Sequence, residues 1–271
     1  MTFKQIFKHT MTCLWVVASA LTAVSAQDKP MVKHLSEPPK SVAFIGNSFF
    51  YFNNGIISHL SPMIAEGMKG HKYRSSMITI SGSGFDWHDV DSYFRPNGIG
   101  KYAFDANNNV IMNTSNDKLF EVAVMMDCSQ CPIHPTLKPV FYEYAKKHSD
   151  TVRQHGSSPV FFMSWAYQDK PEMTQQLADG YTAAGNANKA LVIPAGLAFA
   201  KSIAIKPEVN LYAPDKRHPS VEGTYLSAAT TYATLFNKSP VGLKFSAGLN
   251  PEVASHLQQV AWDTVQAYLN R

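Results

Sequence analysis

The chain has 271 residues, of which 45% are hydrophobic, 12% aromatic and 16% charged. This apolar content is enough for a large buried core, and it excludes a disordered chain, a collagen-like repeat and a coiled-coil rod. The 24 basic and 20 acidic side chains give a net charge of +4 without a long run of lysine or arginine. The charge pattern therefore argues against a nucleic-acid-binding protein.

Residues 1–26 have the features of a secretory signal peptide. Two lysines come before a nearly uncharged apolar run from Met11 to Val24, and Ala26 ends a short cleavage site of small residues. The apolar run of about 14 residues is shorter than the roughly 20 that a membrane-spanning helix needs. The sequence therefore predicts an exported protein, periplasmic or extracellular, whose mature chain is residues 27–271 and has no membrane span.

The mature chain alternates between segments typical of buried strands and segments with helical periodicity. The predicted strands are Ser41 to Ser48, Lys72 to Ser81, Phe120 to Met126, Pro159 to Trp165 and Ala190 to Pro194. The predicted helices are Gly55 to Gly67, Lys138 to His155, Glu172 to Asn188, Val221 to Asn237 and Pro251 to Leu269. This order predicts one α/β domain, a three-layer α/β/α sandwich around a mostly parallel five-stranded sheet.

One stretch, from Phe85 to Lys118, departs from the alternation. It is polar, has no clear period and contains the turn-forming residues Asn107 to Asn109. We interpret it as an insertion or a lid over the site, with room for a hairpin.

Ser48 stands at the end of the first predicted strand. Ligands of parallel α/β sheets bind at the carboxyl ends of the strands, so the position makes Ser48 a candidate nucleophile. The alternative is a turn serine that caps the next helix.

A serine nucleophile needs a base, and Asp215 and His218 offer one in a polar loop before the helix predicted from Val221. A separation of three residues lets the Asp215 carboxylate accept the Nδ1 proton of His218. The Nε2 atom is then free to take a proton from Ser48. The alternative is that Asp215 is a turn residue and His218 a surface side chain.

Two cysteines lie in the mature chain, in Cys128-Ser129-Gln130-Cys131. An even count in an exported protein favours a short structural disulfide between Cys128 and Cys131. The alternative is a redox-active C-x-x-C motif, which needs its first cysteine at a helix N-terminus.

The order of these blocks resembles the SGNH, or GDSL, hydrolase superfamily. GNS comes after the first strand and Ser81-Gly82-Ser83-Gly84 after the second. D-x-x-H-P comes before the helix predicted from Val221. The stretches FMSWAYQD, LVIPAGLAFA and LYAPDKRHPSVEGTYL are similar to a subgroup whose substrates are largely unassigned. The resemblance implies a flavodoxin-like ester hydrolase that requires neither a metal nor an organic cofactor.

The resemblance also implies roles for particular residues. Ser48 would attack the carbonyl carbon, His218 would act as general base and then acid, and Asp215 would orient His218. The backbone N–H groups of Ser48 and Gly82 would form the oxyanion hole.

The third block departs from the family pattern. The superfamily usually has G-x-N-D after the third strand, whose asparagine completes the oxyanion hole, whereas this chain has MMDCSQCP. Gln130 lies near the expected register, and its amide is the candidate third donor. Met126 also departs, because the most similar subgroup commonly has glutamine there.

Aromatic residues suggest substrate contacts. Trp87 and His88 follow the glycine block and are predicted to line the pocket, with packing of the insertion as the alternative. Trp165 is predicted to shape the acyl or alcohol subsite. The remaining histidines lack metal-ligand spacing, so no metal site is predicted.

The sequence therefore predicts an exported serine esterase that removes an acetyl or other short acyl group from a carbohydrate or similar small ester. The alternative is a carbohydrate-binding protein that keeps the fold with little or no catalysis. A third hypothesis is a thiol–disulfide protein that uses Cys128 and Cys131.

Overall fold

The computed structural model describes residues 29–95, 102–104, 106–107, 109–112 and 118–270. In chain order its elements are β1 (Ser41–Gly46), α1 (Ser48–Tyr51), α2 (Ile56–Gly67), β2 (Arg74–Thr79), a 3-10 helix (Phe85–Trp87), α3 (Val90–Phe94), β3 (Tyr102–Phe104), β4 (Val110–Met112), β5 (Val122–Met125), α4 (Lys138–Gln154), β6 (Ser158–Phe162), α5 (Met173–Ala187), β7 (Leu191–Ile193), α6 (Ala195–Ile205), α7 (Val221–Phe236) and α8 (Pro251–Leu269). The predicted signal peptide lies outside the described residues.

Five parallel strands form the central sheet in the order β2-β1-β5-β6-β7. β1 lies between β2 and β5. The chain first adds β2 on one side of β1 and later adds β5 on its other side. This is the point in a doubly wound sheet where ligands bind. Ile45 is in register with Ile78 and Met125, so the loops that follow the three strands meet at one edge of the sheet.

Helices pack in two groups around the sheet. α7 contacts both α2 and α8, and α6 contacts α7 and α8, whereas α4 contacts α5 and both contact β6. Every residue of β1 and β5 is buried. Their continuous apolar sequences are those of strands covered on both faces. The predicted α/β/α fold with a five-stranded parallel sheet is confirmed.

Among the differences from the sequence prediction, two concern strand ends near the site and one concerns a long helix. Ser48 is the first residue of α1 and not the last residue of a strand, because β1 ends at Gly46 and Asn47 caps the helix. Trp165 lies beyond β6. α6 was not predicted, because AGLAFAKSIAI is apolar on nearly every face and gives no amphipathic period.

The insertion from residue 85 to 118 is described in part. It contains the 3-10 helix, α3 and a two-stranded antiparallel hairpin of β3 and β4. Among the helices of the described residues, none has the length and apolar character to cross a membrane.

Candidate active site

Ser48, His218 and Asp215 form a chain of hydrogen bonds at the carboxyl edge of the sheet. The Oγ atom of Ser48 lies 2.8 Å from Nε2 of His218. Nδ1 of the same ring is hydrogen-bonded to Oδ2 of Asp215. Residues 170 positions apart in the sequence thus provide a hydroxyl, an imidazole and a carboxylate in line.

A tight hairpin fixes the Asp215 carboxylate. The N–H of Ala213 donates to the carbonyl oxygen of His218 at 2.8 Å, and Tyr212 forms an antiparallel bridge with Pro219. Oδ1 of Asp215 accepts the N–H groups of Arg217 and His218, both at 2.9 Å. Oδ2 is therefore directed to the imidazole.

The same hydrogen bonds keep Asp215 ionised. Burial acts to raise the pKa of its carboxyl group, but the bonds from the His218 ring and from the N–H groups of Arg217 and His218 outweigh it. Together they lower the pKa to about 2. The carboxylate is thus available to hold the Nδ1 proton of His218 at any ordinary pH.

Two phenylalanines from α1 and its C-terminal end pack on the imidazole. The Phe52 ring stacks nearly parallel to the His218 ring, with centroids 3.9 Å apart, and Phe49 contacts the ring edge-on at 5.4 Å. These contacts restrict the plane of the ring. The sequence does not reveal these contacts, since FFYF indicates only apolar packing.

Asn47 ties the nucleophile to two neighbouring loops. Its Oδ1 accepts the N–H of Phe49 at 3.2 Å, and its Nδ2 donates to the carbonyl oxygens of Ser83 (3.0 Å) and Asp127 (3.1 Å). Both amide hydrogens are used within the protein. Asn47 therefore holds the loops after β2 and β5 against α1 and has no hydrogen free for a ligand.

The proposed oxyanion donors lie on exposed or unpaired backbone. Neither Ser48 nor Gly82 donates its N–H to another described residue. Gly82 has φ +73, and a Cβ atom there would meet nothing within 4 Å, so the space in front of it is open. Gln130 is exposed in the turn after β5, and no contact joins its amide to Ser48 or His218.

The predicted substrate contacts of Trp165 and His88 are wrong, because both side chains are buried and fully engaged. Trp165 has no exposed surface, lies between the rings of Phe49 and Phe199, and donates its indole N–H to the carbonyl oxygen of Arg217 at 3.0 Å. It supports the loop that carries His218.

His88 is 4% exposed and is hydrogen-bonded to Ser83, Gly46 and Tyr93. Burial lowers its pKa to about 4, so the ring is neutral and structural. Trp87, by contrast, is 60% exposed. It borders a surface cavity that also includes Asp86, Asp89 and Tyr144, and neither Ser48 nor His218 is part of that lining.

Cys128 and Cys131 are joined in a disulfide, with their Cα atoms 5.2 Å apart. Asp127 lies close enough to complete a three-residue ligand set, but sulfur atoms in a disulfide do not supply the thiolates that a metal needs. Within the closed loop, the hydroxyl of Ser129 is 2.6 Å from that of Tyr167, whose ring lies under the Arg217 guanidinium. The loop thus contacts a residue that packs on Arg217, the neighbour of His218 in the sequence.

Asp127 is a buried carboxyl group beside this disulfide. Its Oδ1 accepts the N–H groups of Phe85 (2.7 Å) and Cys128 (2.8 Å), yet burial outweighs these bonds and raises the pKa to about 7. An unfolded aspartate loses its proton near pH 4. Between these two values the unfolded state binds fewer protons, so the free energy of unfolding falls as the pH rises.

The Asp127→Asn variant should remove this pH dependence. Its carbonyl oxygen can still accept both N–H groups, and its free energy of unfolding at about pH 8 should exceed that of the wild type by on the order of 2 to 4 kcal/mol. Urea unfolding at several pH values between about 5 and 8 measures the difference. Asp150→Asn, at an exposed position on α4, is the control, and an equal pH slope in wild type and Asp127→Asn would contradict the prediction.

The chain has the fold of the SGNH and GDSL hydrolases, with a serine, a histidine and an aspartate in contact at the carboxyl edge of its sheet. Among solved structures, it is similar to a DUF4886 family protein from Bacteroides uniformis, with a TM-score of 0.56 and 17% identity over 82% of this chain and 93% of that one. A protein classed as an SGNH hydrolase from Slackia heliotrinireducens matches with a TM-score of 0.53 and 17% identity over 72% and 97% of the two chains.

The acetyl xylan esterase AlAXEase is a third similar structure, with a TM-score of 0.51 and 12% identity over 71% of this chain and 98% of that one. At these identities the likeness concerns the fold. No protein-family model and no curated protein sequence matches the chain.

Proposed function

We propose that this protein is an exported serine esterase of the SGNH type that removes acetyl or another short acyl group from a carbohydrate or similar small ester. The observation that carries the proposal is the hydrogen-bonded chain from Ser48 through His218 to Asp215. The similarity in fold to an acetyl xylan esterase supports the acyl group and the substrate class.

In the first half of the reaction the Ser48 hydroxyl transfers its proton to Nε2 of His218 while Oγ attacks the ester carbonyl carbon. The negative charge moves to the carbonyl oxygen, which the N–H groups of Ser48 and Gly82 stabilise. When the intermediate collapses, the C–O bond breaks and His218 gives the proton to the departing alcohol. Ser48 then carries the acyl group.

In the second half, a water molecule gives a proton to His218 and adds to the acyl carbon. Collapse of the second intermediate releases the carboxylic acid and returns the proton to Ser48. Asp215 remains ionised throughout, because it stabilises the charged imidazole and does not take up the proton.

One apolar cavity of the protein lies apart from Ser48 and His218. An apolar cavity of about 380 Å³ lies against Phe199, on the far side of Trp165 from Phe49. Its lining includes neither Ser48 nor His218. It is therefore not the place where an acyl chain on Ser48 would lie.

Export is supported by the signal-peptide pattern of residues 1–26 and by the disulfide, which persists in oxidising compartments. Export is independent of the proposed reaction and has its own test. N-terminal sequencing of the secreted protein should begin at Gln27.

The Ser48→Ala variant tests the function. The mature wild-type protein should hydrolyse 4-nitrophenyl acetate and be labelled by a fluorophosphonate probe, whereas Ser48→Ala should not be labelled and should lose at least about 10⁴-fold in kcat/KM. Its melting temperature should stay within about 2 °C of the wild type. Ser81→Ala, at an exposed serine of the glycine block, is the matched control.

Labelling that persists in Ser48→Ala would reject Ser48 as the nucleophile. A wild-type protein that binds an acetylated glycan without hydrolysing it would instead support the carbohydrate-binding alternative.

A further inference from the structure

Asn53 connects the segment that carries Ser48 with the loop that carries His218. Its Nδ2 group donates to the carbonyl oxygen of Pro219 and to Oγ1 of Thr224, each at 2.8 Å. Pro219 directly follows His218, and Thr224 lies near the start of α7. The amide is therefore hydrogen-bonded to the backbone directly after His218 and to a side chain near the start of α7.

The backbone of Asn53 is fixed as firmly as its side chain. Asn53, Asn54 and Gly55 have φ values of 52, 67 and 80, so three successive residues in the left-handed region reverse the chain between α1 and α2. Asparagine and glycine accept this region more readily than other residues. The carbonyl oxygen of Asn53 also accepts a hydrogen bond from Nε2 of the buried His59 at 3.0 Å.

No other described side chain makes an equivalent connection. Between residues 47–54 and residues 211–224 of the described chain, the hydrogen bonds are the Ser48–His218 bond and the two bonds of Asn53. The remaining ties of the His218 loop lead to itself or to the segment after β6. The spacing between nucleophile and base thus depends on Asn53 for its polar support.

We propose that Asn53 is a positioning residue, which holds the His218 loop at the distance where Nε2 can take the proton of Ser48. The kinetic part of this inference rests on the proposed esterase function. Asn53 does not contact the reacting atoms, and its effect passes through His218.

The Asn53→Asp variant tests the inference. The carboxylate has the size of the amide and tolerates the left-handed backbone, but it cannot donate to the Pro219 carbonyl oxygen. We expect kcat for 4-nitrophenyl acetate to fall by about tenfold to hundredfold while KM changes by less than about twofold. Hydrogen–deuterium exchange of residues 211–220 should become faster. Asn54→Asp, the same change at the adjacent exposed position, should alter neither quantity.

A second comparison separates positioning from general damage. In a His218→Ala background, Asn53→Asp should cause no further loss of the residual rate, because the group on which it acts is absent. An undiminished effect in that background, or an Asn53→Asp protein with wild-type kcat and exchange, would overturn the inference. If the wild type has no Ser48-dependent hydrolysis, the esterase proposal fails, and the exchange of residues 211–220 alone decides the role of Asn53.

Discussion

The Asp215→Asn variant should fold normally and lose about 10⁴-fold in kcat/KM toward 4-nitrophenyl acetate, the loss expected when a triad histidine is held in the wrong tautomer. The backbone dictates how the new amide points. Because Oδ1 of Asp215 accepts the N–H groups of Arg217 and His218, the asparagine oxygen should keep those bonds. Its NH₂ group then faces Nδ1 of His218.

An NH₂ group can only donate, so it forces the lone pair of the imidazole onto Nδ1 and the proton onto Nε2. That proton points at Ser48, and the ring can no longer accept the hydroxyl proton. Steady-state kinetics together with a thermal melt measure the effect.

Asp169→Asn provides the control for net charge. Asp169 pairs with Arg217 at 2.5 Å and lies close to the same loop, yet it makes no contact with the imidazole. Its loss should change kcat/KM by no more than about threefold, as for other partly exposed ion pairs. Equal losses in the two variants would show that charge, and not the tautomer, governs the rate.

The Gly223→Ala variant should lose about 3 kcal/mol or more of folding free energy, together with much of its activity. Gly223 lies in the first turn of α7, where the helix approaches the hairpin that carries His218. A Cβ atom there would lie 3.0 Å from the Phe199 ring and would overlap the carbonyl oxygen of Leu211. That oxygen accepts the N–H of Ser220 at 2.9 Å, so the overlap must displace the base of the hairpin.

Urea unfolding and the kcat of the refolded protein measure the two effects. Ser227→Ala, one turn further along α7, is the control: its buried hydroxyl has no hydrogen-bond partner among the described residues, so its removal should change stability by less than about 1 kcal/mol. Wild-type stability in Gly223→Ala would mean that α7 can move away from the hairpin at little cost.

The fold and the contact of the three site residues could be predicted because each depends on a pattern along the chain. Continuous apolar strands between amphipathic helices define a parallel sheet, and the ends of its strands bring Ser48 and the Asp215–His218 loop to one edge. The direction in which an aromatic side chain points leaves no such pattern. Trp165 and His88 stand at the correct edge but face inward, so their burial became evident only in three dimensions.

The residues that support the site could not be predicted from the sequence either. In the sequence, Asn47 and Asn53 look like ordinary turn residues. Their side chains support the site because they donate hydrogen bonds to carbonyl oxygens far away in the sequence. The pair Asn53-Asn54 before Gly55 does signal left-handed backbone. It does not reveal the partner of the side chain. Gln130 remains a predicted third donor, without a contact that joins it to Ser48.

The order of the site residues along the chain has a consequence for biosynthesis. Ser48 is made within the first fifth of the polypeptide, whereas His218 emerges after β7 and α6 and becomes anchored only when α7 packs. A nascent or prematurely terminated product ending at α6 would contain Ser48 without His218, the residue that is hydrogen-bonded to it. On the proposed function, ester hydrolysis therefore requires that translation has passed α7.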